Sequence, residues 1–149
     1  MKKTMICVGL ALCSLAAALP AAAQTDVDSD ADREAVIACV RDYIDGWYEG
    51  DAERIANALH PDLMKRTVRS KDGADFLSPV SCAKMIEYTR AGAGKKSALK
   101  NQVNEVIVLD MMKKTATAKS ISHEFVDYIH LARIDGKWWI VNVLWEWNQ

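Results

Sequence analysis

The sequence has no excess of positive charge. It carries 19 Lys and Arg against 20 Asp and Glu, and Lys2 and Lys3 belong to an N-terminal segment distinct from the rest of the chain. This balance argues against a nucleic-acid partner, which requires a basic patch to neutralise phosphates. Metal-ligand spacing is also missing. The 3 histidines, His60, His123 and His130, lie far apart, and Cys39 and Cys82 match no zinc motif, so no metal is expected. There is no Gly-x-Ser-x-Gly elbow and no Cys–His pair at a useful spacing. Gly92, Gly94, Lys95, Lys96 and Lys100 read as a solvated rim, not a phosphate loop. No cofactor site is legible. The apolar run Met5–Leu19 is shorter than the roughly 20 residues of a membrane span.

That run has another reading. Lys2 and Lys3, the apolar stretch and Ala21-Ala22-Ala23 form a signal peptide over residues 1–23, cut after Ala23. A lipoprotein reading through Cys13 is weaker, because Leu12 before it is bulky. The mature chain is then periplasmic or secreted, with no membrane association after cleavage. Residues 24–31 are acidic, lack large apolar groups and read as a disordered linker. Residues 32–149 make one domain. Export permits a disulfide between Cys39 and Cys82; the alternative, two separately buried thiols, is slightly favoured.

The C-terminal stretch from Glu124 to Trp147 organises the domain. Asp135-Gly136 between two apolar runs is a strong hairpin signal, since a type I′ turn needs positive φ at both central residues. Without a bulge, the turn places Ile134 opposite Lys137, Ala132 opposite Trp139, His130 opposite Val141 and Tyr128 opposite Val143. One face then carries Tyr128, His130, Ala132, Trp139, Val141, Val143, Trp145 and Trp147. The other carries Phe125, Asp127, Ile129, Leu131, Trp138, Ile140, Asn142, Leu144 and Glu146. Neither looks solvated.

Ahead of this hairpin the period is helical. Val36, Val40, Tyr43, Ile44 and Trp47 form one apolar face, with Ser29 or Asp30 as cap and Gly50 as stop. Asp51 caps a short second helix ending by Pro61, with His60 at its end. Leu63–Val68 and Ala74–Leu77 read as a small hairpin around Lys71-Asp72-Gly73, ended by Pro79. Ser81 caps a third helix, closed by Gly92, and a loop follows over Gly92–Lys96. Val103–Leu109, Thr115–Ser120, Phe125–Ile134 and Trp138–Trp147 then follow as strands of an antiparallel meander.

The pattern is α+β, with N-terminal helices covering a curved antiparallel sheet. On AVIACVRDYIDGWYEGDAERIANALHPD, DGADFLS and DYIHLARIDGKWWIVNVLW, the chain resembles the nuclear transport factor 2-like superfamily, and within it the bacterial family labelled putative lumazine-binding. The resemblance spans roughly Asp32 to Trp147. It implies a cone-shaped fold, often paired into homodimers across the sheet. It does not imply one activity, and no catalytic residue is carried over.

Asp127 is the leading site candidate. Phe125 and Ile129 flank it, and a carboxylate in such surroundings is desolvated toward a useful general base. Asn142 and Glu146 share its face in the unbulged register and would orient a ligand; Trp47 and Tyr48 would stack on one at the mouth. The bland reading of Asp127 is a rim carboxylate bonded to backbone or an arginine. The face is chosen because the other is richer in tryptophan and tyrosine, residues of interfaces. The functional expectation is an exported small-molecule-binding domain, homodimeric through the Tyr128/Trp139/Val141/Val143 face. Its rivals are an isomerase, cyclase or dehydratase using Asp127 as base, and a non-catalytic partner-binding dimer.

Overall fold

The computed structural model describes residues 30–97 and 105–148. The expected signal peptide, nearly all of the expected acidic linker, Lys100 and the start of the strand expected from Val103 lie outside the described residues. Helix α1 spans Asp30–Glu49 and α2 spans Ala52–Ala58. Gly50 at φ +67° separates them. Asp51 caps α2, its carboxylate accepting from the backbone N–H of Glu53 and Arg54 at 3.0 Å each. Arg54 then reaches back to α1 and pairs with Asp42, Asp45 and Glu49, each at 2.9 Å, which fixes the angle between the helices. Helix α3 spans Cys82–Arg90, capped by Ser81, and a 3-10 turn at Gly94–Ser97 occupies the expected loop.

The strands are β1 (Leu59–Lys71), β2 (Ala74–Ser81), β3 (Glu105–Met111), β4 (Thr115–Ile121), β5 (Phe125–Ile134) and β6 (Lys137–Trp147). They form one sheet in the order β2-β1-β6-β5-β4-β3. The meander β3–β6 is antiparallel, but β1 joins β6 in parallel, so the six-stranded sheet is mixed. No local sequence signal announces that pairing. It follows from α1, α2 and α3 packing on one side of the sheet, around a core of Val36, Val40, Ile55, Leu63, Ile129, Ile140 and Val143.

The first hairpin is longer than expected. Its turn is Asp72-Gly73, with Lys71 opposite Ala74, and Pro79 sits inside β2. Because β2 is the sheet's edge, the missing N–H of Pro79 is tolerated. His60 lies on β1, not at a helix end, and its ring meets Trp139 edge-on at 5.9 Å.

The second hairpin departs from the simple register. Ile134 faces Lys137 and Ala132 faces Trp139 as the turn dictates, but the register shifts between His130 and Leu131. Leu131 pairs with Ile140 and His130 with Asn142, leaving Val141 as the extra residue of a β-bulge. One added residue reverses the facing of everything beyond it. Val143, Trp145 and Trp147 therefore share the face of Asp127. Asn142, Leu144 and Glu146 move to the opposite face, with Tyr128 and His130. Among the described residues nothing covers that outer face, where Tyr128 is 47% and Leu144 44% exposed.

Cys39 and Cys82 are both buried and free. The Cys39 thiol donates to the carbonyls of Trp138 and Ala58 at 3.4 and 3.6 Å, and burial pushes its pKa up to about 12. Among the described residues, no helix is long and apolar enough to cross a membrane.

Candidate functional site

A cavity of about 220 Å³ opens between α1, α3, β1 and the β5–β6 hairpin. Its floor is polar and buried. Lys65 from β1, Tyr43 from α1 and Asp127 from β5 meet there, 7%, 4% and 4% exposed respectively. The Lys65 ammonium donates to Asp127 Oδ1 and, at 2.6 Å, to the Tyr43 hydroxyl. Tyr43 donates in turn to the same carboxylate oxygen at 3.4 Å. Ser120, the cross-strand partner of Asp127 on β4, donates to Oδ2 at 3.4 Å. The ammonium also lies 5.0 Å from the centroid of Trp145 and 5.3 Å from that of Tyr43, within the range of cation–π attraction.

Why the cluster exists follows from strand alternation. Leu63, Lys65 and Thr67 are the inward positions of β1, and parallel pairing sets Lys65 beside Val143. The bulge sets Trp145 opposite Asp127. Lys65 then reaches across Trp145 to the carboxylate two strands away. Burial pulls the Lys65 pKa down, with Asp127 working in the opposite direction. Burial first, and Asp127 second, push the Tyr43 hydroxyl well above its ordinary value, so it stays protonated.

Above the floor the walls are aromatic. Phe125, Trp145 and Trp147 pack as a trio with ring centroids 4.9 to 5.3 Å apart. Trp47, Ile44 and Met85 form the facing wall. Gly94 packs so tightly on Trp47 that an added Cβ would stand 2.2 Å from the Trp47 carbonyl oxygen. Tyr48 donates to Ser122 at 3.0 Å, tying the end of α1 to the β4–β5 turn. Arg69, Tyr88 and the 61%-exposed Trp147 stand at the solvent side.

The sequence-predicted residues divide. Trp47, Tyr48 and Asp127 line this one cavity. Asn142 and Glu146 do not, and the physical reason is the Val141 bulge. Asn142 accepts from Arg66 at 2.9 Å and lies 3.4 Å from His130 on the outer face, while Glu146 is exposed there. The bland reading supposed a rim carboxylate bonded to backbone or an arginine; Asp127 is instead buried and bonded to Lys65, Tyr43 and Ser120. Lys65, Tyr43 as a polar group, Trp145 and Arg69 escaped the sequence reading. For Lys65 a signal existed: a lone lysine between Leu63 and Thr67 at the inward period of a strand.

This arrangement can hold a small planar ligand. Apolar walls supply contact area, and a few buried polar groups supply orientation. The volume lies below the roughly 300–1,000 Å³ of pockets for drug-sized ligands. A cavity of that size suits a one- or two-ring compound with one edge left at the mouth.

Residues 31–146 match the model of a family described as putative lumazine-binding. No curated protein matches the chain. Among solved structures, the chain is similar to an NTF2-like protein of unknown function from Methylobacillus flagellatus KT, at 18% identity and a TM-score of 0.65 over 82% of this chain and 96% of that one. A second, from Shewanella baltica OS155, has 13% identity and a TM-score of 0.59 over 82% and 98%. An NTF2-like protein from Cytophaga hutchinsonii ATCC 33406 has 17% identity and a TM-score of 0.58 over 78% and 98%. At such identities the likeness concerns the fold alone.

Proposed function

The chain belongs to the family described as putative lumazine-binding, and we propose that it is an exported small-molecule-binding protein whose ligand occupies the cavity between α1 and the β5–β6 hairpin. The observation that carries this reading is the cavity's make-up: aromatic walls over a buried Lys65–Asp127–Tyr43 floor. Trp47 and Tyr48 serve as walls, and Asp127 as the anchor that keeps Lys65 charged and oriented. The test is native mass spectrometry of protein gently purified from the exported fraction. Its polypeptide mass begins at Gln24 if the signal peptide is cut after Ala23, and a small molecule remains bound. A diacylated Cys13 would overturn the mode of export. A ligand-free protein that also takes up no planar aromatic compound would overturn the binding role.

A second reading is enzymatic, with Asp127 as general base in an isomerase, cyclase or dehydratase. Its support is the nearness of a carboxylate, a phenol and an amine to one cavity. Against it, Asp127 Oδ1 already receives Lys65 and Tyr43, so a substrate proton would have to displace them. Turnover abolished by Asp127→Asn in a folded protein would favour the enzyme.

The uncovered outer face supports a homodimer. Its apolar members are Tyr128, Trp139, Val141 and Leu144, the last standing where Val143 was expected; Val143 is buried in the core. Tyr128 and Leu144 are exposed, and Trp139 and Val141 half-buried; exposed apolar side chains grouped on one face mark an interaction site, and a sheet face meeting its own copy satisfies two-fold symmetry. Trp139→Glu is expected to weaken association in sedimentation more than it weakens the fold. A wild-type monomer at micromolar concentration would count against the dimer.

A further inference from the structure

The class of ligand can be narrowed from the hydrogen-bonding capacity around the cavity, an argument that rests on the binding reading above. Lys65 has three N–H donors. Two reach Asp127 and Tyr43, and the third meets no acceptor among the described residues. Arg69 presents a guanidinium at the mouth, exposed and without an ion pair among the described residues. The indole N–H groups of Trp47 and Trp145 are buried without an acceptor. Acceptors are scarce by contrast. Asp127 is the sole carboxylate lining the cavity among the described residues, and both of its oxygens already receive donors. The unpaired oxygen of Glu124 belongs to a residue outside that lining.

The lining charges are Lys65 and Arg69 against Asp127, and Asp127 is neutralised by Lys65. Glu124, outside the lining, acts on Tyr48, so the positive field at the mouth is the local one of Arg69. Burying a bare anion on the floor would be costly, whereas the mouth leaves an anionic group partly hydrated beside the guanidinium. We propose that the cavity selects a planar aromatic anion, its ring among the aromatic walls and its anionic group at Arg69, with any ring carbonyl or aza nitrogen turned toward Lys65. Cations are disfavoured there, and a neutral ring of the same shape binds by its walls alone.

The experiment uses three isosteric probes on the mature protein: 2-naphthoate, 2-naphthamide and 2-naphthylmethylammonium. Binding is followed by calorimetry at low ionic strength. The expected order is carboxylate, then amide, then ammonium, with about a tenfold gap between the first two. Arg69→Gln should cost the carboxylate about fivefold, the upper range for an exposed pair, and raised salt should narrow the gap. Equal affinity for carboxylate and amide in the wild type overturns the ligand class while the cavity keeps its binding role. A tenfold gap left undiminished in Arg69→Gln overturns the assignment to Arg69. Failure of all three probes removes the binding reading itself.

Discussion

The β1–β2 and β5–β6 hairpins turn through the same dipeptide in the same conformation. Asp72-Gly73 has φ of 53° and 81°, and Asp135-Gly136 has 50° and 83°. From there they diverge. The β1–β2 ladder runs without a shift from Lys71↔Ala74 to Met64↔Ser81. The β5–β6 ladder breaks after Leu131↔Ile140 to accommodate Val141. A turn sets the pairing only as far as the first bulge. In the regular hairpin the inward set is Leu63, Lys65 and Thr67. In the bulged one it is Asp127 and Ile129 opposite Trp145 and Val143. The site lies where these two inward sets meet, so its composition depends on one residue that pairs with nothing.

The strongest way to break the comparison is to cut the link between the hairpins. Lys65 and Asp127 are a buried pair, and removing one partner strands the other charge. Lys65→Met or Asp127→Leu alone is expected to cost about 3–5 kcal/mol in urea unfolding, and the double variant far less than the sum. Additive losses would mean that the two groups do not act as a pair.

The second test reads the facing created by the bulge. Trp145→Ala should cost about 3–5 kcal/mol, as for a buried aromatic, and Leu144→Ala about 0.5 kcal/mol, as for a surface position. The unbulged register predicts the reverse order, so this pair decides between the two registers.

The smallest effect sharpens the likeness of the turns. Nothing lies within 4 Å of a Cβ built on Gly73 or Gly136, so Gly73→Ala and Gly136→Ala meet backbone strain alone. Each is expected to lose about 1 kcal/mol, and the two losses should agree. A markedly larger loss at Gly136 would show that its turn carries strain from the bulge.

What was legible in the sequence was local. The caps Asp51 and Ser81, the stop at Gly50, the apolar face of α1 and both Asp-Gly turns announce themselves within a few residues. Asp127 keeps the inward face expected of it because the extra residue, Val141, is on β6, so alternation along β5 runs unbroken from Leu131 to Asp127. Two features were not legible. The bulge at Val141 has no composition of its own, since valine suits a regular strand equally well. Placing Asn142 and Glu146 beside Asp127 followed from that silence. Lys65 acquires a partner only when β1 joins β6 in parallel, a contact that chain order does not advertise. Its inward period alone marked it as unusual, and a buried lysine demands a counter-charge.

The central claim is that a ligand enters between the hairpins and touches the inward face alone. The protein has 5 tryptophans: Trp47, Trp145 and Trp147 line the cavity, and Trp138 and Trp139 do not. Their indole N–H signals can be followed by ¹H–¹⁵N NMR as 2-naphthoate is added. The account predicts that Trp47, Trp145 and Trp147 shift together along one saturating curve while Trp138 and Trp139 stay in place. Saturable movement of Trp139 with Trp145 and Trp147 unmoved would contradict it.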